Sequence, residues 1–348
     1  MKKYQIEEIT RNLNHAGSKA TADVAKMATK LGFKQISIRM DDVEPGLKNK
    51  IIRQKTFFID WNNAYKKIEP NSVVLIQNPF HYPQLIRNKI LFNLKKKKST
   101  KFICVVHDVE QLRGNYSRYY NKEFKTMLEI SDVLIVHNAS MKKFFTDLNY
   151  SSRKIVCLDI FDYLISNYTY KEPHFEKRVT IAGNLDVKKA KYLSQLNKIN
   201  CNFDLYGPNF SLEKYKNIKY HGIIPSEKLP NFLNSGFGLV WDGESIDRCS
   251  GSFGNYLKYN NPHKLSLYLA SGLPVFIWDM AAEADFVYKN NVGVPISSLQ
   301  DIADLLSNFS VDRYAQLSSN VKEISSNLIK GKYMNLALNE ALEKIRNL

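Results

Sequence analysis

The chain has 348 residues, a formal net charge of +16 and 44% hydrophobic residues. The length exceeds one ordinary core and suits two domains, and the apolar share excludes wholesale disorder. The cationic surplus points to an anionic partner: a nucleic acid, a phosphorylated small molecule or an anionic membrane surface.

The N-terminus, MKKYQIEEITRNLNHAG, has two lysines but no apolar run behind them, unlike a signal peptide. No stretch approaches the ~20 apolar residues of a membrane span. The expected location is cytoplasmic, or peripheral at the inner face of the cell membrane. Cys104, Cys157, Cys201 and Cys249 are widely spaced without a CxxC pair, which suits reduced thiols better than a disulfide framework or zinc site.

Along the first half, strands are predicted at residues 34–40 (KQISIRM), 72–80 (SVVLIQNPF), 101–109 (KFICVVHDV), 132–138 (DVLIVHN) and 154–159 (KIVCLD). Helices are predicted at 18–31, 82–97, 118–130 and 140–148. Lys95 to Lys98 form the densest cationic run, either a solvated helix end or a lipid-facing patch. Residues 161–177 have no clean period and hold Pro173, so they read as a connector. In the second half, strands are predicted at 179–184 (VTIAGN), 202–207 (NFDLYG), 218–224 (IKYHGII), 237–242 (FGLVWD) and 274–279 (PVFIWD), with helices at 188–196, 227–234, 263–271, 281–290, 299–309 and 332–346. Val- and Ile-rich runs without polar alternation suit strands buried on both faces. The alternation predicts two α/β Rossmann-like domains with a cleft between them, at 1–165 and 166–330, and a final helix at 331–348 that packs back on the first domain.

Ligands of open α/β sheets bind beyond the carboxyl ends of the strands. That selects Asn78, Pro79, His107, Asp108, His137 and Asn138 in the first half, and Gly183, Asn184, Tyr206 to Asn209 and Trp241 to Glu244 in the second. The sharpest signal is NNPHKL at residues 260–265, at the start of a helix. Free backbone N–H groups there favour phosphate, and His263 and Lys264 add donors and charge; ordinary capping by Asn with a nearby Pro is the alternative, but a cap needs neither His and Lys together nor a second Asn, so the anion reading is favoured. Gly183 permits close backbone approach, and Tyr206 offers a face on which a base can stack. The loop at residues 14–20 has one Gly and lacks GxGxxG, which counts against NAD or FAD. Asp108 is a candidate general base or a simple cap.

The stretch FGLVWDGESIDRCSGSFGNYLKYNNPHKLSLYLASGLPVFIWDMAAEADF (237–286) resembles bacterial β-1,6-galactofuranosyltransferases of O-antigen and polysaccharide assembly. CVVHDVEQLRG, DVLIVHN, FDYL and AGN carry the same likeness over nearly the whole chain. A more distant resemblance is to the glucosyltransferase that extends GlcNAc on streptococcal serine-rich adhesins.

The resemblance implies a GT-B glycosyltransferase. It puts Lys264 on the UDP diphosphate, with Asn261, His263, Leu265 and Ser266 counted as donor-binding. It puts Tyr206 against uracil, Ala16 and Gly17 over the phosphate, and Lys188 at the basic position after the GN pair. A Glu that many retaining GT-B enzymes carry is replaced by Leu267, so inverting transfer is expected. From its place at a strand end, Asp108 is the expected base, with His15 as rival. No DxD-type motif stands at a strand end, so no metal and no other cofactor is expected. The partners implied are a UDP-sugar donor, a lipid-linked or glycan acceptor, an anionic membrane surface and a homo-oligomer; no nucleic acid is expected. A UDP-glucose-dependent enzyme and a basic nucleic-acid or lipid-surface binder are the alternatives.

Overall fold

The computed structural model describes residues 1–9, 16–40, 45–80, 82–166, 168, 170–213 and 215–347, without the side chains of residues 16–18. His15 lies outside the described residues.

The first domain contains β1 (Lys3–Ile9), α1 (Ala16–Lys30), β2 (Lys34–Arg39), α2 (Leu47–Lys67), β3 (Val73–Asn78), α3 (Arg87–Lys97), β4 (Lys101–Val106), α4 (Arg118–Ile130), β5 (Val133–Val136), α5 (Ala139–Asp147) and β6 (Ile155–Cys157). Its sheet has the order β2-β1-β3-β4-β5-β6, with parallel pairing throughout. The strand order reverses between β1 and β3, which opens a crevice beyond their carboxyl ends.

The second domain contains β7 (His174–Ala182), β8 (Asn202–Tyr206), β9 (Ile218–Tyr220), β10 (Ser235–Val240), α6 (Gly251–Tyr256), α7 (His263–Ala270), β11 (Val275–Trp278), α8 (Ala284–Lys289), β12 (Gly293–Ile296), α9 (Asp301–Asn308) and α10 (Val311–Lys330). Its parallel sheet runs β12-β11-β10-β7-β8-β9 and reverses between β7 and β10. The helices expected at 188–196 and 227–234 are short 3-10 segments, Lys191–Lys198 and Leu229–Asn231.

The chain then crosses back. At Gly331 (φ 81°) it turns into α11 (Lys332–Arg346). A Cβ there would lie 2.2 Å from Met27 Sδ, so glycine is required by both conformation and space. Met334, Ala337, Leu338, Ala341 and Ile345 pack on Val73, Leu75, Ile103 and Val133 of the first sheet. The N-terminus of α11 is held by Asp162, whose carboxylate accepts from Met334 N (2.6 Å) and Tyr333 N (3.3 Å).

The four cysteines are free, and no described helix is long and apolar enough to cross a membrane. The Lys95 to Lys98 run is not an open patch. Lys95 donates to Ile130 O at 2.6 Å and pairs with Asp132, while Lys98 donates to the Tyr65 and Ile68 carbonyls. Only Lys96 and Lys97 are exposed, at the end of α3 remote from the interdomain cleft.

Candidate active site

Two cavities meet where the strand ends of the domains face each other. One, of about 430 Å³, is lined mainly by the first domain, including Glu7, Glu8, Pro79, Phe80, His107, Asp108 and Glu110, with Asn260, Asn261 and His263 opposite. The other, of about 540 Å³, is lined mainly by the second domain, including Gly183, Asn184, Lys189, Tyr206, Pro208, Asp242 and Lys264. Arg113 and His263 line both.

The wall between the cavities is the mouth of α7. Its cap residue, Pro262 (φ −72°, ψ 126°), has no side-chain capping bond, so neither asparagine serves as the cap that the sequence allowed. Asn261 is used elsewhere. Its N–H donates to His137 Nδ1 at 2.9 Å and its Nδ2 to Asp159 O at 3.0 Å. Among the described residues, four buried side-chain polar atoms of this short segment lack a hydrogen-bond partner: Asn260 Oδ1, Asn261 Oδ1, His263 Nε2 and Ser266 Oγ. Buried polar groups are rarely orphaned, and the three of them whose residues line a cavity, on Asn260, Asn261 and His263, mark where a polar ligand completes the hydrogen bonding.

His263 corrects one expectation. Burial pushes its imidazole down to about 4, with a hydrogen bond to the Asp162 backbone opposing the shift only in part. The ring is neutral at pH 7. With one nitrogen donating to that carbonyl, Nε2 is left as an acceptor. It can receive a sugar hydroxyl and brings no positive charge to a phosphate. Lys264 brings charge, but Nζ already donates to Trp241 O and Asp242 Oδ1, each at 2.9 Å. An entering diphosphate shares the ammonium with Asp242. Leu265 and Ser266, counted above as donor-binding, line neither cavity; Leu265 is fully buried and its N–H is bonded to Pro262 O at 2.9 Å.

The far end of the second cavity is built for a flat ring. Tyr206 is stacked on His221 with centroids 4.5 Å apart, which fixes the tyrosine plane, and Pro208, Ile223, Ile224 and Leu229 complete the apolar lining. The strand ends carrying this region touch closely: a Cβ on Gly207 would lie 1.8 Å from Gly183 O, whereas one on Gly183 would meet nothing within 4 Å. Gly207 therefore serves packing, and Gly183 leaves open space on the cavity side. Lys189 lines the cavity and Lys188, the residue read as the basic position after the GN pair, does not. Ala16 and Gly17 are already the first residues of α1, and what their side chains touch lies outside the described residues.

Asp108 lies at the first cavity with its carboxylate held in place. Tyr256 OH donates to Oδ1 at 3.2 Å, and Arg113 pairs with Oδ2 at 3.2 Å. Arg113 also pairs with Glu110 at 2.9 Å. Sequence reasoning missed Glu7 and Glu8, which end β1 in the same cavity. Gln84 links Trp61 to Glu8, and burial raises the Glu7 carboxyl. The tandem acids of QIEEI at a strand end were the available signal. It also missed Lys19, which reaches the second cavity from α1. Lys19 is bound by both Asp23 oxygens (2.6 and 2.7 Å) and by Leu164 O at 2.6 Å.

His137 and Asn138, selected as strand-end residues, face the other domain and line neither cavity. His137 Nε2 donates to Val106 O at 2.9 Å while Nδ1 accepts from Asn261, and burial holds the ring down to about 4. Asn138 caps α5 and donates to Tyr259 O (3.1 Å) and Glu283 Oε1 (2.7 Å). These bonds fix the α7 mouth against the first domain. The charges of the cavities differ: Lys19, Lys189, Lys264 and Arg113 with Asp242 line the second, whereas Glu7, Glu8, Asp108 and Glu110 with Arg113 line the first. The second suits an anion and the first a hydroxyl-rich neutral group. Among the described residues, no three His, Cys, Asp or Glu are gathered as a metal-ligand set.

Comparison with known proteins agrees with this architecture. The glucosyltransferase 3-like N-terminal domain matches residues 3–160, and the glucosyltransferase 3-like C-terminal domain matches residues 179–341. The chain is 32% identical over 348 residues to the β-1,6-galactofuranosyltransferase WbbI of Escherichia coli (strain K12), covering 99% of each. It is 23% identical over 331 residues to Glucosyltransferase 3 of Streptococcus gordonii, covering 94% of each. Among solved structures it is similar to the apo form of the lipopolysaccharide outer core galactosyltransferase WaaB, with a TM-score of 0.61 at 12% identity, over 99% of this chain and 100% of that one. Anabaena Alr3699/HepE in complex with UDP-glucose gives a TM-score of 0.61 at 11% identity over the same shares. At such identities the likeness is one of fold, the GT-B arrangement of two Rossmann-like domains. With both halves matched by one family's domains, the chain belongs to the glucosyltransferase 3-like family of glycosyltransferases.

Proposed function

We propose that the chain is an inverting transferase that moves galactofuranose from UDP-galactofuranose to the 6-hydroxyl of an acceptor sugar during assembly of a bacterial surface polysaccharide. The observation that carries the reading is the uncapped, orphan-rich mouth of α7 between a cationic cavity and an acidic one. Uracil lies at the Tyr206 end and the diphosphate at the free N–H groups of α7, where the helix dipole favours negative charge. The sugar reaches toward His263 Nε2, which accepts one of its hydroxyls.

The acceptor enters the first cavity. Its oxygen forms a bond to the anomeric carbon as the bond from that carbon to the phosphate oxygen breaks. The proton passes to the Asp108 carboxylate, and UDP leaves with the electron pair, stabilised by Lys264 and the α7 mouth. No step requires a metal. Identity to WbbI over the full length favours galactofuranose as donor and a 1,6 linkage.

A second reading, transfer of glucose from UDP-glucose to a glycan or glycoprotein, is favoured by the similarity to Glucosyltransferase 3. The two donors differ at a few hydroxyl contacts, which decide specificity in such pockets. Release of UDP from UDP-galactofuranose, UDP-galactopyranose, UDP-glucose and UDP-N-acetylglucosamine separates them. The proposal expects the first to turn over fastest; turnover restricted to UDP-glucose would replace it with the second.

A further inference from the structure

We infer that the outward face of α2 docks the chain on an anionic membrane surface. α2 is apolar on two sides. Phe57, Trp61 and Ala64 are buried in the first domain, yet Leu47, Ile51 and Phe58 are 75%, 63% and 57% exposed, with Ile52 and Ile59 also open. At 100° per residue Leu47, Ile51 and Phe58 form one row and Ile52 and Ile59 another, with Lys48 and Lys55 between them. Beside the first row, Gln54 Oε1 accepts from Leu85 N at 3.1 Å, which anchors a loop whose Leu85 is 83% exposed.

The charge on this face identifies the occupant. Lys48, Lys55 and Lys66 lie on it and are exposed, whereas the one acid of the helix, Asp60, is buried on the opposite side and paired with Arg39 at 2.7 Å. A second copy of the chain docking by this face around a two-fold axis would set lysines against lysines. An anionic lipid surface accepts the apolar side chains between its headgroups and the ammonium groups at its phosphates, while the long lysine stems lie along the apolar boundary.

The position also serves the site. In a parallel sheet a helix begins near the carboxyl end of the strand before it, so the Leu47 end of α2 lies at the cleft end of the domain. The Leu85 loop continues β3 through Pro79 and Phe80, which line the acidic cavity. Docking by α2 brings that cavity to the surface from which a lipid-linked acceptor would enter, a consequence that rests on the proposed transfer; the surface itself does not.

Co-sedimentation with vesicles of phosphatidylcholine and of phosphatidylcholine–phosphatidylglycerol tests this. Wild type should bind the anionic vesicles in low salt. Ile51→Glu with Phe58→Glu should cut partitioning at least about tenfold, while the melting curve and UDP release with a water-soluble acceptor stay unchanged. Lys96→Gln with Lys97→Gln should bind as wild type does. Failure of wild type to bind, or equal binding by the α2 variant, overturns the proposal; so does self-association in sedimentation velocity that the α2 variant abolishes. A chain that binds vesicles through α2 but transfers no sugar would sink the proposed reaction and leave the surface standing.

Discussion

At the scale of residues, Asp108 and His263 divide the chemistry. Asp108 is held by Tyr256 of the second domain and by Arg113, so its carboxylate is oriented before an acceptor arrives. Asp108→Asn keeps size and hydrogen bonding but removes basicity. In single-turnover measurements it should lower the transfer rate about 10²–10⁴-fold with the fold intact. Near-normal turnover would move the role of base to another group, with His15 first in line. His263 was legible as a site residue because it sits in NNPHKL, but its role was not. Its neutrality follows from burial under Phe161 and Tyr163, which arrive from the connector between the domains. That Lys189 rather than Lys188 lines the second cavity was not legible for a similar reason: which of two adjacent lysines enters a cavity depends on how the turn after Gly183 is wound.

At the scale of elements, the α7 mouth is held by the end of β5, and that contact contains a buried acid. Glu283 accepts from Asn138, and burial pushes its carboxyl up to about 8. The folded chain thus keeps a proton that the unfolded chain releases near its ordinary carboxyl range. Stability contributed at this position is fully present at low pH and falls as pH rises toward about 8. Glu283→Gln keeps a carbonyl acceptor and removes the titration. Its melting temperature relative to wild type should therefore rise steadily between pH 5 and pH 8. A constant difference across that range would show that Glu283 is already ionised. Comparing the two proteins at each pH cancels the opposite slope from His137 and His263, whose lowered values make the fold lose stability as pH drops from about 6.5 toward 4.

Most sheet strands were legible because buried parallel strands write themselves as Val and Ile runs. The helices that escaped did so for physical reasons. α2 has apolar residues on its solvent face as well as its core face, which blurs the 3.6-residue period. α10 is rich in Ser and Asn, although Tyr314, Leu317, Val321, Ile324 and Leu328 form a clear buried stripe. β1 and β12 carry Glu, Gly or Pro and are too short or too polar to stand out.

At the scale of the molecule, the chain is two sheets joined twice: once through residues 158–173 and again where α10 passes into α11 on the first domain. The double crossing and the bonds from His137, Asn138 and Asp159 set the two crevices face to face, joining residues 102 to 145 positions apart. No local pattern in the sequence reports such a contact, which is why Arg113 and Lys19 were not foreseen at the second cavity. The division of labour, nucleotide in the second domain and base in the first, is the central claim. Calorimetric titration of UDP tests it most directly. Wild type should bind UDP. Lys264→Ala should weaken that binding by about 1.5–3 kcal/mol, the scale of a charge-assisted hydrogen bond, while Asp108→Asn should bind UDP as wild type does. Unchanged affinity in Lys264→Ala, or its loss in Asp108→Asn, would contradict the account.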